Sequence, residues 1–191
     1  MALIKIGVTK CVLTGDVLEE GNSIVCFPPF EYELSDPFSI CYDACALRSA
    51  FEIWKYKTAL AEKISKHWQE YYSQSTAFEI ILQDNSLIIA YGMREKKIRV
   101  LFLEHVFSLD FPLMTLPKLL TSLRKLEREN SVSVEFTPNT ILNLKKDGDF
   151  TKFSLNWKKM KHQDHINLSS KEWIHFYSSL NKISLNQIEQ Q

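Results

Sequence analysis

Hydrophobic and polar positions alternate with period two through two long stretches of this chain. From Phe78 to Glu127, and again from Ser131 to Ile183, short alternating runs are separated by polar turns and closed by a run with helical spacing. FEIILQ matches VSVEFT, NSLIIAYG matches NTILNLKK, IRVLFLEH matches TKFSLNWK, and LMTLPKLL matches HINLSSKE, at offsets of about 52 to 54 residues. A constant offset near fifty residues marks an internal repeat. The pattern predicts strand-strand-strand-strand-helix twice, with one closing helix starting at Pro117 and the other capped by Ser169 or Ser170.

The two repeats use their faces differently. In the first, Ile98, Val100 and Phe102 alternate with Arg99, Leu101 and Leu103, while Leu87 and Ile89 alternate with Ile88 and Ala90. Strands apolar on both faces are covered on both. This sheet therefore needs a cover besides its own helix: the long N-terminal helix, the second repeat, another subunit or a protein partner. In the second repeat Val132, Val134, Phe136, Leu142, Leu144, Phe153, Leu155 and Trp157 mark one face. Ser133, Glu135, Asn143, Lys145, Lys152, Ser154, Asn156 and Lys158 mark the other. That is the alternation of an antiparallel sheet with one wet side. Trp173, Phe176, Tyr177 and Leu180 give its closing helix a buried stripe.

The first 77 residues read differently. LIKIGVTKCVLT and SIVCFPPFEYEL suggest two strands around an acidic loop, forming an N-terminal β-hairpin; the second ends, bends or sits at an edge at Pro28-Pro29. A long amphipathic helix follows, starting at Asp36-Pro37 or at Asp43, with Leu47, Phe51, Trp54, Ala61, Ile64, Trp68 and Tyr71 on one stripe. The chain divides into residues 1–77, a first ββββα unit at 78–130, a second at 131–184, and a Gln-rich tail at 185–191 expected to fray. The predicted fold class is α+β.

Composition narrows the functions. A chain of 191 residues with 45% hydrophobic content folds around a proper core. Lysines and arginines equal acidic residues in number, so no whole-molecule field draws it to nucleic acid or acidic lipid. Four cysteines, Cys11, Cys26, Cys41 and Cys45, lie in the first quarter without a CxxC pair and read as reduced thiols. No apolar run reaches the length of a membrane span, and the start lacks a secretory signal pattern. The expected setting is intracellular, in nucleus or cytoplasm, with no membrane partner.

The run FTKFSLNWKKMKHQDHINLSSKEWIHFYSSL adds a family likeness. Strands followed by INL and a Ser-capped helix with tryptophan in its first turn resemble the single-stranded-DNA-binding coactivators of the positive cofactor four type. The order of both units is similar to the plant Whirly proteins, which carry two such units in one chain. The resemblance implies a Whirly-like fold, pairing into homo-oligomers, and sheets that hold a single strand with basic and aromatic side chains. The family's strand end falls on Phe153 to Trp157, its arginine on Ser154 and its glycine before the last strand on His165. A basic contact here therefore has to come from Lys152 or Lys158.

Chemistry for an enzyme is thin. The five histidines form no HExxH pattern, HQDH (His162 to His165) reads as a polar connector, and no glycine-rich phosphate loop or nucleophile elbow is present. No cofactor is implied. The cationic cluster Lys145, Lys146, Lys152, Lys158, Lys159 and Lys161, with Asn156 and with Trp157 for stacking, points to a single-stranded nucleic acid, DNA or RNA, bound by an oligomer in transcription, replication or genome maintenance. Phe150 and Tyr91 are further stacking candidates, because Trp157 alternates with the core set. The alternative is a non-enzymatic structural or assembly protein using the same fold for protein contacts.

Overall fold

The computed structural model describes residues 4–33, 35–159 and 161–183. The tail expected at 185–191 lies outside them. The fold is α+β and contains two tandem four-stranded meanders, each followed by a helix.

The first meander comprises β3 (Phe78–Gln83), β4 (Leu87–Gly92), β5 (Lys97–Phe102) and β6 (Phe107–Pro112), antiparallel in that order. Asp84 shapes its first turn, because one carboxylate oxygen accepts the N–H groups of Ser86 and Leu87 at 2.8 and 2.9 Å. The fourth strand corrects the sequence reading, which placed that block at LMTL. The chain turns at Leu103 to Val106, and residues 113–115 form only a single helical turn. The helix α3 (Leu116–Leu126) then starts with proline in its first turn, as the sequence predicts, and buries Leu116, Leu119, Leu123 and Leu126.

The second meander comprises β7 (Ser131–Thr137), β8 (Thr140–Asp147), β9 (Phe150–Trp157) and β10 (His162–Ser169). Gly148-Asp149 makes its central two-residue turn, with Gly148 at φ +59 where a side chain is disfavoured. Helix α4 (Ser170–Asn181) begins with a capping box: the Ser169 hydroxyl accepts the Glu172 N–H, and the Glu172 carboxylate accepts the Ser169 N–H.

One core joins the two units. The inner faces of both sheets and the apolar stripes of α3 and α4 form a single buried cluster. Phe102 of the first sheet meets Phe153 of the second at 5.8 Å and Phe176 of α4 at 5.2 Å, and Phe111 stacks on Phe136 at 5.2 Å. Contacts of this geometry add about 0.5–1.5 kcal/mol each beyond area burial.

The second apolar face of the first sheet is covered within the chain. Helix α2 (Lys57–Gln74) lays Tyr72 and Trp68 over Ile88, Ala90, Leu101 and Leu103. Arg99 fastens this cover: it donates to the Tyr72 hydroxyl at 2.7 Å and to Asp110 at 2.8 Å, with its guanidinium over the Phe78 ring. Of the covers expected from sequence, two are found: the second repeat on the inner face and the N-terminal helix on the outer one. Apolar strand surface therefore supplies no need for a second copy.

The rest of the N-terminal region departs from its sequence reading. Among the described residues the first expected strand is a set of turns with one bridge, Lys10 to Val17. The second shrinks to β1 (Ile24–Cys26), ending before Pro28-Pro29, and its partner is β2 (Cys45–Leu47). Asp36 and Asp43 do not start the helix. Asp36 accepts the Phe38 N–H and pairs with Lys63 instead, and Asp43 sits at φ +45. The helical run is also split, with α1 (Arg48–Ile53) ending where Trp54 turns extended and packs edge-on to Phe38 and Tyr56. After this break Tyr72 is the buried tyrosine, while Tyr71 is exposed.

Arg48, at the start of α1, joins all three parts. Fully buried, it donates from Nε to Asp164 of β10 at 2.8 Å and from Nη1 to the His105 carbonyl in the β5–β6 turn at 2.7 Å. Val106, next in that turn, inserts into the N-terminal core at φ +46. A β-branched residue there costs of order 1–3 kcal/mol and persists only because the surroundings hold it.

Trp173 tests the shared core. Only 9% exposed, it packs on Phe153 at 5.9 Å and stacks on Tyr177 at 5.9 Å. Trp173→Ala is expected to cost about 3–5 kcal/mol in urea unfolding. A loss no larger than that of a surface substitution would remove Trp173 from the core.

Candidate nucleic-acid interface

The outer face of the second sheet is the candidate surface. Register places Ser131, Lys145, Lys152 and Asn167 in one row across it, Ser133, Asn143, Ser154 and His165 in the next, and Glu135, Ile141, Asn156 and Gln163 in a third. Period-two alternation fixes this set, because the same strands send Val134, Leu142, Phe153, Leu155 and Ile166 into the core. Apart from Ile141 the face is polar, and it is at least partly exposed along all three rows.

Lys145 and Lys152 are direct cross-strand partners. Like charges directly opposite each other destabilise a sheet pair. Among the described residues neither ammonium group has a carboxylate within ion-pair distance. Phe150 has the same strand parity as Lys152, so it stands on the same face, at the turn end, and is 52% exposed. The arrangement is two like-charged lysines, without an ion-pair partner among the described residues, beside an exposed aromatic ring whose cross-strand partner is Asp147. Polar side chains continue along the face.

The remaining candidates scatter. Asn156 is on the face, about 13 Å along β9 from Lys152. Lys158 and Lys159 are exposed in the β9–β10 turn at the far end. Lys161, at φ +55, pairs with Glu20 at 3.1 Å. Lys146 points to the opposite side, where its ammonium reaches the Glu127 carbonyl at 3.5 Å. Trp157 is corrected from stacking platform to packing residue: it alternates inward, touches the shared core and stacks on His162 at 4.7 Å. Tyr91 is also core, at 8% exposure.

HQDH is a strand, not a connector, and all four of its residues are engaged. His162 stacks on Trp157, Asp164 holds Arg48, and His165 meets the Ser23 hydroxyl at 2.6 Å. Gln163 pairs with the backbone of Asn22 and donates its amide to the Gly21 carbonyl at 2.8 Å. Residues 21–23 thus strap the β10 edge, engaging the Gln163 and His165 side chains at the ends of two rows and leaving the Lys145–Lys152 row exposed. Burial, then the charges of Lys152 and Arg48, hold the His165 imidazole below its ordinary value. Gln163, His165 and Asn167 complete the face, and the alternation inside HQDHIN was the signal for them.

A second feature is a cleft between the hairpin tips of the first sheet and α4, with space for about one water. In it His105 meets Glu172 at 2.8 Å and His175 meets Asp84 at 2.7 Å. Both carboxylates are also occupied in structural roles, Glu172 in the capping box and Asp84 in its turn. Among the described residues no three potential ligands converge on a metal position. The cleft is a joint between the two units. Hydrogen bonds from Ser169 and His105 outweigh burial and hold the Glu172 carboxyl below its ordinary value; bonds from Ser86, Leu87 and His175 do the same for Asp84.

No protein-family model and no curated protein matches the chain. Among the described residues no helix is long and apolar enough to cross a membrane.

Two expectations follow from this geometry. A carboxylate held low in the folded state stabilises above its unfolded value and loses that contribution as pH falls through its folded value. Stability should therefore decline below about pH 4.5, the ordinary value for glutamate. Glu172→Gln keeps the capping box but not the charge, so its stability should fall less steeply there; an unchanged acid limb contradicts the assignment. At the other site, Lys152→Thr removes the like-charge pair and is expected to stabilise the fold by about 0.2–1 kcal/mol. A clear destabilisation in urea would show that Lys152 is structural.

Proposed function

We propose that this chain is a non-enzymatic protein whose second sheet binds single-stranded nucleic acid, DNA or RNA, on its open face, in transcription, replication or genome maintenance. The observation that carries the reading is the like-charged Lys145–Lys152 pair, without an ion-pair partner among the described residues, beside exposed Phe150. The pair is unfavourable in the free protein, and a phosphate between the two ammonium groups relieves it. Phe150 offers a π-face for a base, and a base is free to stack there only when unpaired. Ser133, Asn143, Ser154 and Asn156 in the rows beyond supply neutral donors and acceptors to the backbone. The resemblance to positive cofactor four and Whirly proteins supports the same reading, with Lys152 supplying the charge that the family places at Ser154. An oligomer, which the resemblance implies, belongs to the proposal only.

The assembly reading has its own observation. Tyr32 and Tyr42 are 39% and 45% exposed and pack beside Phe30 and Pro29 in an open aromatic hollow. Solvent-facing tyrosines of this kind suit a protein contact.

Fluorescence anisotropy with a single-stranded oligonucleotide, its duplex and an RNA of the same sequence separates the readings. Phe150→Ala is expected to weaken single-strand binding by about 1–3 kcal/mol, the cost of one lost stack. Replacing Lys145 and Lys152 together flattens the salt dependence by about 0.7 per lost phosphate contact. Wild-type protein that binds no single strand at low salt, or binds duplex equally and ignores Phe150→Ala, returns the question to the assembly reading.

A further inference from the structure

Cys26 of β1 and Cys45 of β2 are register partners whose sulfur atoms lie 3.0 Å apart. The flanking main-chain bonds, Phe27 N–H to Ala44 and Arg48 N–H to Ser23, place the two cysteines at a non-hydrogen-bonded position of the ladder. Such residues approach to about 4.5 Å between Cα atoms, and cystines take about 4.4–6.8 Å. Closing the gap to a bond of about 2.05 Å needs a shift of about 1 Å. Both side chains already point at each other.

We propose that Cys26 and Cys45 form a reversible cystine, closed by hydrogen peroxide, that locks the strap on β10. Cys26 is the partly exposed member and Cys45 is buried, so peroxide meets Cys26 first. The Cys26 thiolate attacks one peroxide oxygen and expels hydroxide, leaving a sulfenic acid. The Cys45 sulfur then attacks the Cys26 sulfur and expels the second oxygen, which leaves as water. Two thiols lose two protons and two electrons, and the peroxide becomes two waters. The hydrogen bond shared with Cys45, then burial, pushes the Cys26 thiol well above its ordinary value. The pair is therefore slow to oxidise at neutral pH and faster as pH rises, because the thiolate is the nucleophile.

The position gives the bond a consequence. Ser23, which holds His165, stands three residues before Cys26, and Arg48, which holds Asp164, stands three after Cys45. A cystine ties the two segments together at the far end of this short ladder. It therefore restrains the grip on the edge strand of the candidate face. The other two cysteines, Cys11 and Cys41, are buried, and burial, then Cys11, pushes the Cys41 thiol up to about 12.

The test treats the full chain with hydrogen peroxide, counts thiols after denaturation and maps the unreduced digest. Thiols are expected to fall from four to two. A linked peptide should join Cys26 to Cys45, two hydrogens lighter than the sum of its halves, and dithiothreitol should reverse it. The rate should rise with pH, and the thermal midpoint of the oxidised chain should rise. A Cys11→Ser, Cys41→Ser double variant forms the same link, so the assignment does not depend on a Cys26 variant that folds. Four surviving thiols, a Cys11–Cys41 link, links only between chains, or a midpoint that fails to rise would each overturn the proposal.

Discussion

The structure depends on a guanidinium with almost no exposed surface. Arg48 takes Asp164 on one side and the His105 carbonyl on another, so the N-terminal region, the first sheet and the second sheet meet at one group. Burial pushes the Asp164 carboxyl up, and the facing guanidinium opposes that shift. A buried pair of this kind contributes little net stability over an apolar pair. It contributes position, because removing either partner strands a charge in the interior at about 3–5 kcal/mol. The strand that carries Asp164 is the edge of the candidate face, and its other grips, Ser23 on His165 and Gly21 on Gln163, come from the same strap.

This constraint explains how the two sheets diverge in use. The first is covered on one side by α2 and on the other by the common core, with Arg99 pinning Tyr72 and Asp110, and offers no open face. The second is held at the β10 edge and packed on one side, which leaves its other side wet. Its β7 edge carries a register irregularity between Glu135 and Thr137, and such bulges discourage further strand pairing. A face with protected edges and a polar surface favours a flexible ligand over another sheet.

The strands of both repeats were legible because period-two alternation is a local property, and Lys145, Lys152, Asn156 and Phe150 acquire their common face directly from it. What failed was non-local. Ile24 pairs with Leu47 across more than twenty residues, and three-residue strands leave too short a pattern to read. The β5–β6 turn carries no glycine or asparagine, and Val106 adopts its positive φ for the sake of a tertiary contact, so the fourth strand was placed several residues late. HQDH looked like a connector because its charge is satisfied by Arg48, which lies 116 residues away. Trp157 was the reverse case: its parity already indicated the core, against the general attraction of a tryptophan near lysines.

Backbone amide NMR of the isotope-labelled chain, titrated with a short single-stranded oligonucleotide at low salt, tests the central claim most directly. The account predicts shifts concentrated at Asn143, Lys145, Phe150, Lys152, Ser154 and Asn156, with the first-sheet strands and the His105–Glu172 joint unmoved. Shifts centred on the first sheet, on that joint or on the Tyr32–Tyr42 hollow, or no shifts at all, would contradict it.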